Sequence, residues 1–207
     1  MFDPPIPVTA FLTIVSAVFV AELTDKDALL LLTLATKYRP RFVFAAGAIA
    51  FTITSTIIVT LGYFLVSVFP VSLITMTGGA IMIGYGIWSF FRADKDEPEL
   101  RKVDQSFSNN RSKSYMTIFL TTIAFLVFLD LAGDATEILT ILFVARYQDV
   151  LLVFTGAVCA LVSASAVETL IGNRLSKVLT PKTIRMFSLI VFLAIGITAI
   201  LTTLIHV

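Results

Sequence analysis

Two short acidic clusters interrupt hydrophobic runs of this chain: Glu22-Leu23-Thr24-Asp25-Lys26-Asp27, and the stretch from Asp130 to Glu137 that contains Gly133-Asp134. An ionised carboxylate is expensive in hydrocarbon, so acids inside a membrane-spanning run mark a functional site by default. On a helix, residues three or four apart share a face. Glu22 and Asp25 are three apart, Glu22 and Lys26 are four apart, and Asp130, Asp134 and Glu137 make one acidic stripe. Asp27 points away from Asp25 on a regular helix, so either the helix unwinds there or Asp27 serves another face. Clustered carboxylates without His or Cys beside them favour hard divalent cations that prefer oxygen, namely Ca²⁺, Mn²⁺ or Mg²⁺. The hydroxyls of Thr24, Thr136, Thr54, Ser55, Ser163 and Ser165 add oxygen ligands, line the path, or pack helices. Protons compete with a metal ion for crowded acids, so one site can exchange the two. Lys26 reads as an internal counter-ion that holds the cluster together. Asp130 either ligates an ion or lines the bundle, and Glu168, close to Arg174, reads as half of an interfacial ion pair.

The elements that must position these groups are membrane helices. The chain of 207 residues is 57% hydrophobic and only 14% charged, where soluble domains carry roughly 25% charge. Its mean hydropathy is +0.96. A single cysteine, Cys159, excludes an intrachain disulfide framework and a cysteine-rich metal site. The first apolar stretch lacks a basic leading region and runs into Glu22, so it does not read as a cleaved signal peptide. Little sequence is left outside the apolar runs for a soluble catalytic domain.

Six spans are expected, at about 6–36, 42–66, 71–91, 115–145, 149–171 and 183–205. The first and fourth each cover about 30 residues, or about 45 Å of straight helix, too long for one upright crossing. In both, the acidic cluster falls near the middle, so a break or bend there would resolve the length and shelter the charges together. Thirteen of the fifteen basic residues fall in the connections after the first, third and fifth spans, against Arg146 on the other side and Lys26 within the membrane. That bias places the thirteen in the cytoplasm and both termini outside. Residues 92–114 mix both charge signs with Pro, Ser and Asn and read as a flexible cytoplasmic linker between residues 1–91 and 115–207.

Those two parts are related by an offset. Adding 109 carries Phe19 to Phe128, Asp25 to Asp134, Tyr38 to Tyr147, Gly47 to Gly156, and Thr54 and Thr56 to Ser163 and Ser165. With one inserted residue, Tyr85-Gly86-Ile87 meets Ile195-Gly196-Ile197. Three spans per half is an odd number, so the halves enter the membrane from opposite sides. The expected fold is an all-α polytopic membrane protein of six transmembrane helices. They form two inverted-topology three-helix repeats with broken or bent first and fourth helices.

The stretches AELTDKDALLLLTLATKYRP and FLDLAGDATEILTILFVARY resemble the paired Glu-x-Gly-Asp-(Lys/Arg)-(Thr/Ser) motifs of the transmembrane protein 165 family, cation exchangers within the lysine-exporter superfamily. The resemblance implies transport of Mn²⁺ and/or Ca²⁺ coupled to protons, with the motif acids as ligands. The first copy keeps Glu22, Asp25 and Lys26 but has Thr24 for the glycine and Asp27 for the hydroxyl residue. The second keeps Gly133, Asp134 and Thr136 but has Leu131 for the glutamate and Ala135 for the basic residue. Asp130, one turn before Asp134, is the candidate replacement for that glutamate, and Glu137 stands where such proteins often carry glutamine.

The leading expectation is a secondary antiporter, not an enzyme, that exports a divalent cation against protons through a midplane carboxylate site. Its metal ligands would be drawn from Glu22, Asp25, Asp27, Asp130, Asp134 and Glu137, with Lys26, Thr24, Thr136, Thr54 and Ser163 in support. No cofactor is expected beyond the transported ion and its proton counter-ion. Another cargo such as Cd²⁺ is the nearest alternative, and the lack of sulfur beside the acids argues against it. A channel is disfavoured by the intramembrane Lys26 and the inverted repeat. An intramembrane diaspartyl hydrolase fits Gly133-Asp134 but lacks a Tyr-Asp pair. The expected partners are the lipid bilayer of a cytoplasmic membrane and divalent cations, without nucleic acid; a homodimer is compatible with the sequence and not set by it.

Overall fold

The computed structural model describes residues 7–23, 26–92, 115–131, 135–178 and 181–205, and these are almost wholly helical, with no strand among the described residues. In chain order the helices are α1 (Pro7–Leu23), α2 (Lys26–Lys37), α3 (Pro40–Val68), α4 (Val71–Arg92), α5 (Tyr115–Asp130), α6 (Ala135–Tyr147), α7 (Val150–Val178) and α8 (Pro181–Ile205). The first and fourth expected spans are each two helices, with α1 ending at Leu23 and α5 at Asp130, inside the acidic clusters. The expected linker lies outside the described residues, apart from Arg92 at the end of α4.

Local chemistry explains the corners. Pro40 opens α3, where a missing backbone N–H costs nothing because that donor has no partner within the helix. At the equivalent corner of the second half, Asp149 caps α7 by accepting from the Leu152 N–H at 3.0 Å. Gln148 turns the chain there with φ of 52°.

Three helical stretches among the described residues are long and apolar enough to cross a membrane: Pro40–Val68, Val71–Trp88 and Val150–Leu170. Val8–Leu23, Phe119–Asp130 and Leu189–Ile205 are apolar but shorter. The first two are short because the acidic clusters divide their spans. On α3, Ile49, Ile53, Ile57 and Leu61 are exposed at four-residue intervals, while Ala46, Gly47, Ala50, Thr54 and Ser55 face inward. Large apolar residues outside and small or hydroxylated ones inside is the pattern of a helix surrounded by lipid, where small residues let backbones approach. The core runs through Ile14, Leu31, Phe51, Leu126, Leu139 and Phe192.

The halves pack across one another. α5 and then α6 follow α3 in the same direction: Phe42 meets Phe119 with ring centroids 4.9 Å apart, Thr54 reaches Asp130 at 2.6 Å, and Gly62 lies against Val144. α1 and then α2 follow α7 likewise, with Ile14 against Gly156, and Leu31 and Ser165 both against Gly47. α4 pairs with α8 through a close backbone contact. A Cβ on Gly79 would lie 2.9 Å from the Gly196 carbonyl oxygen, and one on Gly196 2.6 Å from that of Gly79. Gly86, seven residues forward, meets Leu189, seven residues back, so α4 and α8 run antiparallel.

Gly196→Ala therefore forces these two backbones apart and is expected to destabilise the protein by about 1–3 kcal/mol, the usual cost of overpacking. Gly84, with nothing within 4 Å of an added Cβ, should accept alanine without loss. Melting of the purified variants in detergent checks the pair; equal melting temperatures would contradict the contact.

Candidate functional site

The clearest polar constellation lies where α5 stops and α6 starts. Asp130 is the last residue of α5, and Thr136, Glu137 and Thr140 occupy the first turns of α6. With Thr54, Ser55 and Ile58 of α3 and Leu161 of α7 they line one small cavity. All six polar members are buried.

Electrostatics explains why these groups sit together. The C-terminal end of a helix carries partial negative charge, so an acid at the end of α5 is opposed by its own helix. Thr54 offsets this by donating to Asp130 Oδ2 at 2.6 Å. Its nearest alternative acceptor, the Ala50 carbonyl, is 3.2 Å away. Glu137 is placed favourably, in the first turn of α6 beside the positive end of that helix. Thr140 gives its proton to the Thr136 carbonyl at 2.7 Å. Thr54 and Thr140 have thus committed their protons, and what their oxygens keep is lone pairs. Two carboxyls and four hydroxyls, with no nitrogen or sulfur, suit a hard cation.

A second group of buried polar residues lies on α1 and α7. Glu22, at the end of α1, is 0% exposed, and Ser165, Glu168 and Thr169 of α7 are buried. Glu168, expected in an interfacial ion pair with Arg174, is 1% exposed, and α7 continues past it to Val178. The Arg174 side chain lies outside the described residues. A signal for Glu168 was present in Ser165-x-x-Glu168-Thr169, whose three-and-four spacing puts three polar groups on one helix face.

The other expected site residues divide into two groups. Thr24, Asp25, Gly133 and Asp134 lie outside the described residues, as do the side chains of Lys26 and Asp27. Ser163 is described and is exposed on α7, whereas Ser165 is buried. Two positions along a helix turn a side chain by about 200°, so only one of the two can face inward. Among the described residues no three His, Cys, Asp or Glu side chains converge as a metal cluster; the cavity beside Asp130 brings two acids together.

The family model described as divalent cation/proton antiporter GDT1 matches the chain twice, over residues 10–97 and 118–206. No curated protein and no solved structure matches the chain.

The bond between α3 and α5 has a direct check. Thr54→Val keeps the shape and removes the donor, which should cost about 1–2 kcal/mol for a hydrogen bond between helices in a membrane. Thr54→Ser should retain most of that stability. Unfolding of the purified variants measures both, and a Thr54→Val protein as stable as the wild type would contradict the bond.

Proposed function

The chain belongs to the divalent cation/proton antiporter GDT1 family, and from that membership we propose that it exports a divalent cation, Mn²⁺ and/or Ca²⁺, in exchange for protons through a carboxylate site midway across the bilayer. The family is one of transporters rather than enzymes, and with the apolar helices it makes the chain a multi-pass membrane protein. The single observation that carries the site is the cavity beside Asp130, lined only by oxygen donors and apolar side chains.

Helix directions support six alternating crossings. α5–α6 run with α3, α1–α2 run with α7, and α4 opposes α8, which is the pattern that two inverted three-helix repeats require. The family model's two matches start 108 residues apart and end 109 apart, in step with the offset that aligns Asp25 with Asp134.

In this arrangement the last turns of α1 and α5 each carry a buried acid, Glu22 one residue before the end of α1 and Asp130 at the end of α5. Two helix C-termini add partial negative charge to those carboxyls, and a cation is the counter-charge they attract. Asp25 and Asp134 follow immediately in sequence and are the proposed principal ligands, joined by Glu22, Asp130 and Glu137. Asp27 stands by on α2, Lys26 serves as counter-ion, and Thr24, Thr54 and Thr136 supply hydroxyls. Protons replace the departing cation on the same carboxyls, so one set of residues couples the two fluxes. The basic connections would face the cytoplasm and both termini the outside of a cytoplasmic membrane.

Purified protein in liposomes should move Mn²⁺ or Ca²⁺ at a rate set by the imposed pH gradient. Asp25→Asn and Asp134→Asn should each abolish that flux, and Asp130→Asn should reduce it at least about tenfold, in the range for loss of one ligand-shell partner. Flux that persists in both Asp25→Asn and Asp134→Asn would overturn the site assignment. Uptake driven equally well by Cd²⁺ without competition from Mn²⁺ or Ca²⁺ would overturn the cargo.

A further inference from the structure

We propose that Ser165 and Glu168 of α7 form a second oxygen-donor position for the transported divalent cation, on the α1 side of the bundle. The proposal rests on the transport function above. Glu168 and Ser165 are 1% and 0% exposed, and neither the Glu168 carboxyl oxygens nor Ser165 Oγ has a hydrogen-bond partner among the described residues. Three residues apart, they stand one turn from each other on one helix face. Burying one such group without a partner is costly, and burying two side by side is rarer still. A hard cation satisfies both, since a carboxylate and a hydroxyl offer it three oxygens.

The surroundings fit a small ion and exclude a bulky group. Ser165 Oγ lies against α3 so closely that a Cβ on Gly47 would come within 2.7 Å of it. Charge balance comes from α1, which meets α7 where Ile14 lies against Gly156. Both helices run in the same direction from that contact. At 1.5 Å per residue, Glu22 lies about 12 Å beyond the contact on α1, Ser165 about 13 Å and Glu168 about 18 Å beyond it on α7. Ser165 is therefore between the two buried acids in depth, and the acids are about one helical turn apart along the axis. Glu22 is shared with the principal ligands, and together with Glu168 it matches the charge of one divalent ion. This position adjoins the cavity beside Asp130 without sharing a lining residue: the α7 residue lining that cavity is Leu161, about 6 Å along the helix from Ser165 and about 10 Å from Glu168.

Equilibrium Mn²⁺ binding to the full-length chain in detergent, followed by electron paramagnetic resonance, tests the proposal. Wild-type protein should bind two equivalents, Glu168→Gln one, and Glu168→Asp two with weakened affinity for the second. A second variant reads selectivity instead of loss. Ser165→Cys, made with Cys159→Ser to remove the exposed thiol, should shift the preference for Cd²⁺ over Mn²⁺ at least about tenfold, because a thiolate selects softer metals. That readout also decides the matter if Glu168→Gln fails to purify as a folded protein. One equivalent in the wild type, or unchanged binding and selectivity in both variants, would overturn the α7 position and leave the transport function standing; the two groups would then be satisfied by water alone. Wild-type protein that binds no Mn²⁺ would overturn both.

Discussion

A carboxyl group inside an apolar bundle must be given partners, and the architecture of this chain is organised around that requirement. Four acids are buried among the described residues: Glu22, Asp130, Glu137 and Glu168. Asp130 ends α5 against the negative pole of its own helix. The Thr54 hydroxyl, 76 residues away in sequence, donates a hydrogen bond to it. Because that donor sits on α3, the end of α5 is fixed to the first half of the chain, and the start of α6 is fixed beside it. The cavity follows from those two attachments.

The crossed packing has the same origin. Each divided span lies along the long helix of the opposite half, α5–α6 along α3 and α1–α2 along α7, so that inward-facing hydroxyls and small residues meet the acids where helices end. The lipid-facing surfaces of α3 carry the large apolar residues that a soluble protein would place inside. With lipid as apolar as the side chains, adhesion depends on close backbone approach, as at Gly79 and Gly196. The same family model matches both halves, although they share little identity.

Much of this was legible in the residues. The hydrophobic runs gave helix ends within a few residues of those observed, except at α7, and the excess length of the first and fourth runs located their division at the acidic clusters. Type and spacing single out Asp130, Glu137, Thr136 and Thr54 among the polar residues, and the structure sets these four around one cavity. The rest depended on information that periodicity does not contain. Nothing local says that Thr54 faces Asp130, because that contact is set by which helices cross. The offset pairs Thr54 with Ser163, but the rotation of α7 about its axis turns Ser165 inward and Ser163 out. The apolar run fades near residue 171 and so puts Glu168 near an interface, whereas α7 continues as helix to Val178. Helices outlast hydrophobicity when their backbone bonds are satisfied internally, so the end of an apolar run is a poor guide to the end of a span.

The most direct test of the central claim is the anomalous signal of Mn²⁺ in crystals of the protein grown with that ion. The account predicts a peak between the α1–α2 and α5–α6 junctions, within coordination distance of carboxyl oxygens from both acidic clusters. A peak confined to the basic connections or to the exposed acid Asp149, with none between the two junctions, would contradict it.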